Sequence, residues 1–70
     1  MMPLTLAPEG EEQVIVKVGG KAEVRQHLEN MGFVEGQPVT VVSEIGGNLI
    51  VSLMDMRVAI SKEMAQKIMV

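Results

Sequence analysis

The 70-residue sequence contains no cysteine, no tryptophan and no tyrosine, and its single aromatic residue is Phe33. Without cysteine the chain has no disulfide, no thiolate ligand for a metal ion and no cysteine nucleophile. With one aromatic side chain it offers no stacking platform for bases or sugars, and no aromatic groove of the kind that binds proline-rich peptides. Stability must therefore come from apolar packing.

The sequence also lacks an excess of basic charge and a long apolar run. Six Lys and Arg against nine Asp and Glu give a formal net charge of −3, which does not favour the phosphate backbone of nucleic acids. No basic segment precedes the apolar N-terminal residues, as a secretory signal would require. The densest apolar stretch, residues 49–54, is far shorter than the roughly 18 to 20 residues of a membrane span. We expect a cytoplasmic protein that neither binds nucleic acid nor inserts into a membrane.

The sequence is rich in apolar residues, which make up 47% of the chain. This content is enough to drive folding, and 70 residues have room for one core only, so residues 1–70 are predicted to form a single domain. Turn signals such as Gly19-Gly20 and Gly46-Gly47 recur at close spacing, which predicts several short elements.

Two regions have the character of β-strands. Residues 13–18 alternate with a period of two, which predicts one half-buried strand with its three valines on one face. Further along, Pro38–Ile45 and Asn48–Met54 flank the Gly46-Gly47 dipeptide, which is suited to a tight hairpin turn. A third run, Met56–Ile60, follows Asp55 and completes a predicted antiparallel meander of three strands.

Lys21 to Met31 shows the helical period instead, with Val24, Leu28 and Met31 forming the apolar stripe of one amphipathic helix. Gly32 follows directly and is predicted to take the left-handed position after the helix end, where Phe33 or Val34 can supply the accompanying apolar contact.

Ser61 is a predicted N-cap for a short last helix, which packs through Ala65, Ile68 and Met69. Together these elements predict a mainly β fold: a small antiparallel barrel of at most five strand segments, with one inserted helix and a short C-terminal helix.

Few side chains are candidates for chemistry. His27 is the only histidine and is expected to be a half-exposed helix residue without a catalytic role. Glu9, Glu11 and Glu12 are expected to form a solvated edge, because no calcium-loop pattern accompanies them. No catalytic set, metal site or cofactor is predicted.

Met54 and Met56 lie on either side of Asp55 and are placed by a strand's period on one face. Filling of the core is the favoured interpretation for both, and an exposed, adaptable contact surface for a protein partner is the alternative. The predicted partner-binding surface combines Met54, Met56 and Arg57 with the outer flank of the helix at Arg25 and His27.

Residues 28–41 follow the order Leu-x-x-x-Gly-Phe-x-x-Gly-x-x-Val-x-Val, which resembles the signature of the FeoA family. The resemblance extends to an opening strand and turn at residues 4–11 and to an ending in Ala65, Ile68 and Val70. One departure is Met54-Asp55, where the family commonly has a glycine. The residues that carry the structural motif are Leu28, Gly32, Phe33, Gly36, Gly46 and Gly47.

This resemblance implies an SH3-like domain of the bacterial cytosol that assists ferrous iron uptake by protein–protein contact with the FeoB membrane transporter, at its cytosolic face. It implies no enzymatic activity of its own. The alternative is a stand-alone regulatory module similar to the SH3-like C-terminal domain of metal-responsive transcriptional repressors. The sequence leaves open the oligomeric state and direct binding of a transition metal ion.

Overall fold

A computed structural model describes residues 1–70 and shows six short strands, two α-helices and one 3-10 helix. In chain order the elements are the 3-10 helix Leu4–Leu6, β1 Glu12–Val14, β2 Lys17–Val18, α1 Ala22–Asn30, β3 Pro38–Ile45, β4 Asn48–Leu53, β5 Met56–Ser61, α2 Lys62–Ala65 and β6 Ile68–Met69.

The strands form two antiparallel sheets. One has the order β1-β3-β4-β5, and in the other β2 pairs with β6. Strands β3, β4 and β5 are consecutive and form the predicted meander. The mainly β, antiparallel fold with an inserted helix and a short C-terminal helix is thus confirmed, with six strands where at most five were expected.

Both ends of β4 are joined to their neighbours by two-residue turns. Ile45 pairs with Asn48 around Gly46-Gly47, whose φ angles are 54° and 83°. These positive angles match a type I′ turn, whose twist suits a β-hairpin, and glycine adopts them without steric cost. The predicted glycine hairpin is therefore confirmed. At the other end of β4, Leu53 pairs with Met56 around Met54-Asp55.

The predicted helix is confirmed, and the hydrogen bonds at its C-terminal end form a Schellman motif. The N–H of Phe33 donates to the carbonyl of Leu28 at 3.0 Å, and the N–H of Gly32 donates to Glu29 at 3.0 Å. Gly32 has a φ of 107°, and both Leu28 and Phe33 are fully buried. Leu28, Gly32 and Phe33 of the sequence signature thus end the helix and pack that end against the core.

The prediction of a single strand over residues 13–18 is wrong. Ile15 is buried, whereas Val14 and Val16 are 52% and 49% exposed. The N–H of Ile15 donates to Gln37 in the connection before β3, but the N–H of Val16 donates to Met69 in β6. The chain therefore passes from one sheet to the other between these residues, and the alternation of inward and outward side chains restarts there.

Both ends of the chain also differ from expectation. Ser61 is confirmed as the N-cap of α2, because its Oγ accepts a hydrogen bond from the N–H of Met64 at 3.2 Å. The helix nevertheless stops at Ala65, and Ile68 and Met69 form β6 rather than a helical face. Residues 4–6 form a 3-10 helix in place of the opening strand.

The core consists of fourteen buried residues, all of them apolar, and no polar or charged residue is buried. It lies between the four-stranded sheet, α1 and the β2–β6 ribbon. The longer of the two α-helices has nine residues, and neither could span a lipid bilayer. Val24 and Met31 of the predicted stripe are partly buried against this core, as expected.

Candidate interaction surface

The turn between β4 and β5 has an unusual backbone. Met54 and Asp55 have φ angles of 52° and 63°, and they are the only residues other than glycine with positive φ. The left-handed conformation costs an L-residue roughly 1–2 kcal/mol, because its Cβ approaches the following carbonyl. Such strain persists only where the surrounding structure holds it, and it is frequent at functional sites.

The end of α1 lies against this turn. A Cβ atom built on Gly32 would be 3.1 Å from the Sδ atom of Met54 and 3.2 Å from the Cδ2 atom of Leu53. Glycine at position 32 is therefore required twice, for its φ angle and for its lack of a side chain. The thioether of Met54 packs on the backbone of the helix end while 57% of the residue stays exposed.

The predicted surface residues are all exposed but do not share one face. Met56 pairs with Leu53, whose side chain is in the core, so Met56 lies on the core side of the sheet at its open margin. Arg57 pairs with Ser52 and therefore faces the outer side. Met54 belongs to the turn rather than to a strand, so the expected common strand face of the two methionines does not form.

Arg25 and His27 are both exposed on α1, one on either side of the buried Leu28. The side chains of Gln26 and Asn30 make a hydrogen bond at 3.0 Å on this same helix. The contact of Met54 with Gly32 places the β4–β5 turn at the C-terminal end of α1, whereas Arg25 and His27 are two positions apart on the helix and face different directions.

The outer side of the sheet contains a feature that the sequence did not reveal. Strand pairing brings Glu12, Thr40, Ser52 and Arg57 into one row across four strands. Beside this row is a shallow, open depression of about 250 Å³, lined by Glu12, Gln37, Pro38, Val39, Thr40, Ser52, Met54 and Asp55. Met54 thus lies between the depression and the helix end.

The polar side chains of the molecule form few contacts with one another. Lys62 and Glu44 make the only salt bridge, with Nζ and Oε2 2.7 Å apart and both side chains about half exposed. No group of three His, Cys, Asp or Glu side chains is arranged to hold a metal ion. Around the strained turn the surface offers the thioether groups of Met54 and Met56 and the guanidinium group of Arg57, while Arg25 and His27 are exposed separately on α1.

Comparison with known proteins gives a consistent result. The FeoA domain matches residues 2–70 of the chain. A candidate Fe(2+) transport protein A from Methanocaldococcus jannaschii is 36% identical over 70 residues, which is all of this chain and 85% of that protein.

Solved structures of FeoA proteins also superpose closely on this chain. The crystal structure of an iron uptake regulatory protein, FeoA, superposes with a TM-score of 0.86 at 28% identity, over 96% of this chain and 91% of that one. FeoA of Stenotrophomonas maltophilia, solved with zinc, has a TM-score of 0.83 at 25% identity, over 99% and 88% of the two chains. That protein is described as a prokaryotic SH3 domain protein, which agrees with the SH3-like fold expected for this chain.

A manganese-dependent transcriptional repressor shares the fold alone. Its TM-score is 0.83 at 16% identity, and the superposition covers 94% of this chain but only 38% of the repressor. The shared fold is therefore one part of a longer protein in that case.

Proposed function

Because this chain belongs to the FeoA family, we propose that it is a small cytoplasmic accessory protein of ferrous iron uptake that acts by contact with the FeoB transporter. The observation that carries the proposal is the match over residues 2–70, together with a relative named for Fe(2+) transport. The transporter supplies the chemistry, and this chain has no catalytic activity of its own.

The distribution of side chains supports a contact role. Every one of the fourteen buried residues is apolar, so the interior is given over to packing and has no polar group with which to react. The residues left for function are on the surface. In a domain this small, recognition of another macromolecule by surface complementarity is the activity that such an arrangement favours.

The proposed contact surface is the β4–β5 turn region with Met54, Met56 and Arg57, continued onto α1 by Arg25 and His27. Met54 and Met56 are each 57% exposed. Unbranched thioethers adapt their shape to a partner, and burial of two such side chains supplies apolar area at the centre of an interface. The exposed guanidinium groups of Arg25 and Arg57 at the margin favour an acidic partner surface.

A titration of the purified chain against the cytosolic domain of FeoB, with and without GTP, tests the proposal. We expect saturable binding, which is weakened at least tenfold in the double variant Met54→Ser, Met56→Ser, about 1.4 kcal/mol. The matched control is Ile45→Ser. Ile45 is 64% exposed beside the other turn of β4, so its loss removes exposed apolar area at the opposite end of the strand.

Three results count against this proposal, the first against the function and the other two against the surface. The first is an absence of FeoB binding by a folded wild-type chain combined with normal iron uptake in a deletion strain. The second concerns the surface alone: if Ile45→Ser weakens binding as much as the methionine double variant, the contact is not at the β4–β5 turn. A loss of thermal stability in the double variant would show instead that the methionines serve the core.

A regulatory module of the repressor type is the second candidate, favoured by the superposition on the manganese-dependent repressor. The fold alone supports it, since the two chains are 16% identical. The genes beside this one separate the candidates: an adjacent transporter gene favours the accessory role, and an adjacent repressor gene favours the regulatory one.

A further inference from the structure

The outer edge of β5 is an unused set of backbone hydrogen-bonding groups. β5 is the last strand of the four-stranded sheet and pairs with β4 only. Leu53 and Met56 close a two-residue turn, so this pair exchanges hydrogen bonds, and the ladder bonds then recur at every second residue. Arg57 and Ala59 consequently direct their N–H and C=O groups away from the sheet, and no backbone hydrogen bond outside the helices and strands involves them.

The two edges of this sheet are protected very differently. β1, at the other edge, is three residues long, begins with the charged Glu12 and ends where the chain crosses to the second sheet. β5 has six residues, no proline and a single charge, Arg57, and the irregularity of the sheet lies in β3 rather than in β5. A long, regular and mostly apolar edge is a template for pairing with another strand.

We propose that β5 pairs antiparallel with β5 of a second copy of this chain, so that the two four-stranded sheets become one. The register that fits places Ala59 opposite Ala59 of the second copy. Ala59 is small and exposed, which allows the two backbones to approach at the two-fold axis. Arg57 then lies opposite Ser61 of the second copy, a neutral hydrogen-bonding residue.

Charge disfavours the neighbouring registers on the Arg57 side of this one. With Ala59 at the axis, the two Arg57 side chains are four residues apart along the strand, about 14 Å, which exceeds the screening length of about 8 Å at physiological salt. Moving the axis to position 58 or 57 brings the two arginines within two residues of each other or directly opposite, where like charges repel.

The same register also covers apolar surface. On the core side of the sheet, Val58 comes opposite Ile60 of the second copy, and aliphatic cross-strand pairs of this kind stabilise a sheet. Met56, 57% exposed in the single chain, lies at the end of the paired segment, where α2 of the second copy begins. A single strand pair is a small interface, so we expect a weak dimer that exchanges rapidly with the monomer.

This dimer does not depend on the proposed function, because it requires no transporter, and its test uses the purified chain alone. Sedimentation velocity is measured from low micromolar to near-millimolar protein, and amide hydrogen exchange is followed by NMR over the same range. We expect the mass to rise towards that of a dimer and exchange at Arg57 and Ala59 to slow with concentration, while Val58, already bonded to β4, is unchanged.

Two variants make the test specific. Ala59→Lys places two ammonium groups face to face at the axis and should keep the chain monomeric. Val14→Lys adds the same charge at an exposed position of β1 and should dimerise as the wild type does. The proposal is overturned if the wild type stays monomeric at the highest concentration, or if Ala59→Lys dimerises equally well. Should Ala59→Lys fail to fold, the exchange rates of the wild-type amides decide the question alone.

Discussion

The two turns at the ends of β4 have the same backbone shape but different residues. Gly46-Gly47 and Met54-Asp55 each join two strands through two residues of positive φ. The glycines adopt this shape freely, whereas Met54 and Asp55 adopt it at a cost. A glycine pair would fit the geometry better at both ends, so the strain at Met54 and Asp55 marks this turn as a candidate for a role beyond joining two strands.

The surroundings of the two turns also differ: one turn is exposed to solvent, and the other packs against α1. A Cβ added to Gly46 or Gly47 would meet no atom within 4 Å, so this turn projects into solvent. Its attachment to the rest of the molecule is polar: the N–H of Lys62 donates to the carbonyl of Gly47 at 3.1 Å, near the Lys62–Glu44 ion pair. The Met54 turn instead packs on the end of α1. One turn is a connector, and the other is part of a packed junction.

The largest effect is expected where the junction is anchored in the core. Leu28→Ala removes a fully buried side chain from the helix end against which the Met54 turn lies. We expect the free energy of unfolding to fall by about 2–5 kcal/mol, with each kcal/mol lowering the melting temperature by some 4–8 °C. Thermal unfolding followed by circular dichroism measures this loss. An unchanged melting temperature would contradict the packing of the helix.

Glycine-to-alanine substitutions separate backbone strain from close contact. Gly32→Ala imposes a φ of 107° on alanine and pushes its Cβ against Met54 and Leu53, so we expect a loss of about 2 kcal/mol. Gly36→Ala is the matched control, because φ is 89° there but no atom lies within 4 Å, and its loss should be about 1 kcal/mol. Urea unfolding of both variants gives the difference between their losses in free energy of unfolding. Equal losses would show that the contact with Met54 and Leu53 does not contribute.

A substitution that relieves the strained turn should raise the stability of the protein rather than lower it. Asp55→Gly relieves the left-handed strain, partly offset by the greater chain entropy of glycine, and we expect stability to rise by about 0.5 kcal/mol. Asp55→Ala keeps the strain without the adaptable carboxylate and should lower stability. Denaturant midpoints compare the two, and a drop in stability for Asp55→Gly would show that the turn is not strained.

The smallest effect is expected at the polar attachment of the other turn. Glu44→Gln breaks an ion pair whose side chains are 48% and 46% exposed, so the loss should stay within about 0.2–1 kcal/mol. Because solvent screens such a pair, the difference from the wild type should shrink at high salt. If the loss of stability persists in high salt, the contribution of Glu44 to the attachment of the glycine turn is not that of a solvent-screened ion pair.

How well the sequence predicted these elements depends on how local their signals are. The glycine hairpin, the helix stripe and the cap at Ser61 are written in adjacent residues, and each is confirmed. The prediction of one strand over residues 13–18 is wrong because alternation alone does not reveal that the chain leaves one sheet for another. The spacing of Ile68 from Ala65 suits either a helix or a strand that follows a short helix, so the sequence alone does not distinguish the two.

The surface was harder to predict than the core for the same reason. The row of Glu12, Thr40 and Ser52 exists only through the pairing of three strands, and no residue in it signals the others in the sequence. The contact of Met54 with Gly32 likewise joins two distant segments. Exposure of the methionines and cations could be anticipated from their residue types, but their separation onto two sides of the sheet required the strand register.

The ribbon of β2 and β6 has a consequence for the order of folding. It joins Lys17 and Val18 to Met69 and Ile68, which lie 52 and 50 residues further along the chain, while the meander of β3, β4 and β5 needs only neighbouring segments. Bringing distant segments together costs more entropy, so the meander should form early and the ribbon should close last. We expect the ribbon also to open before the central hairpins in the native state, so that the two ends of the chain separate together.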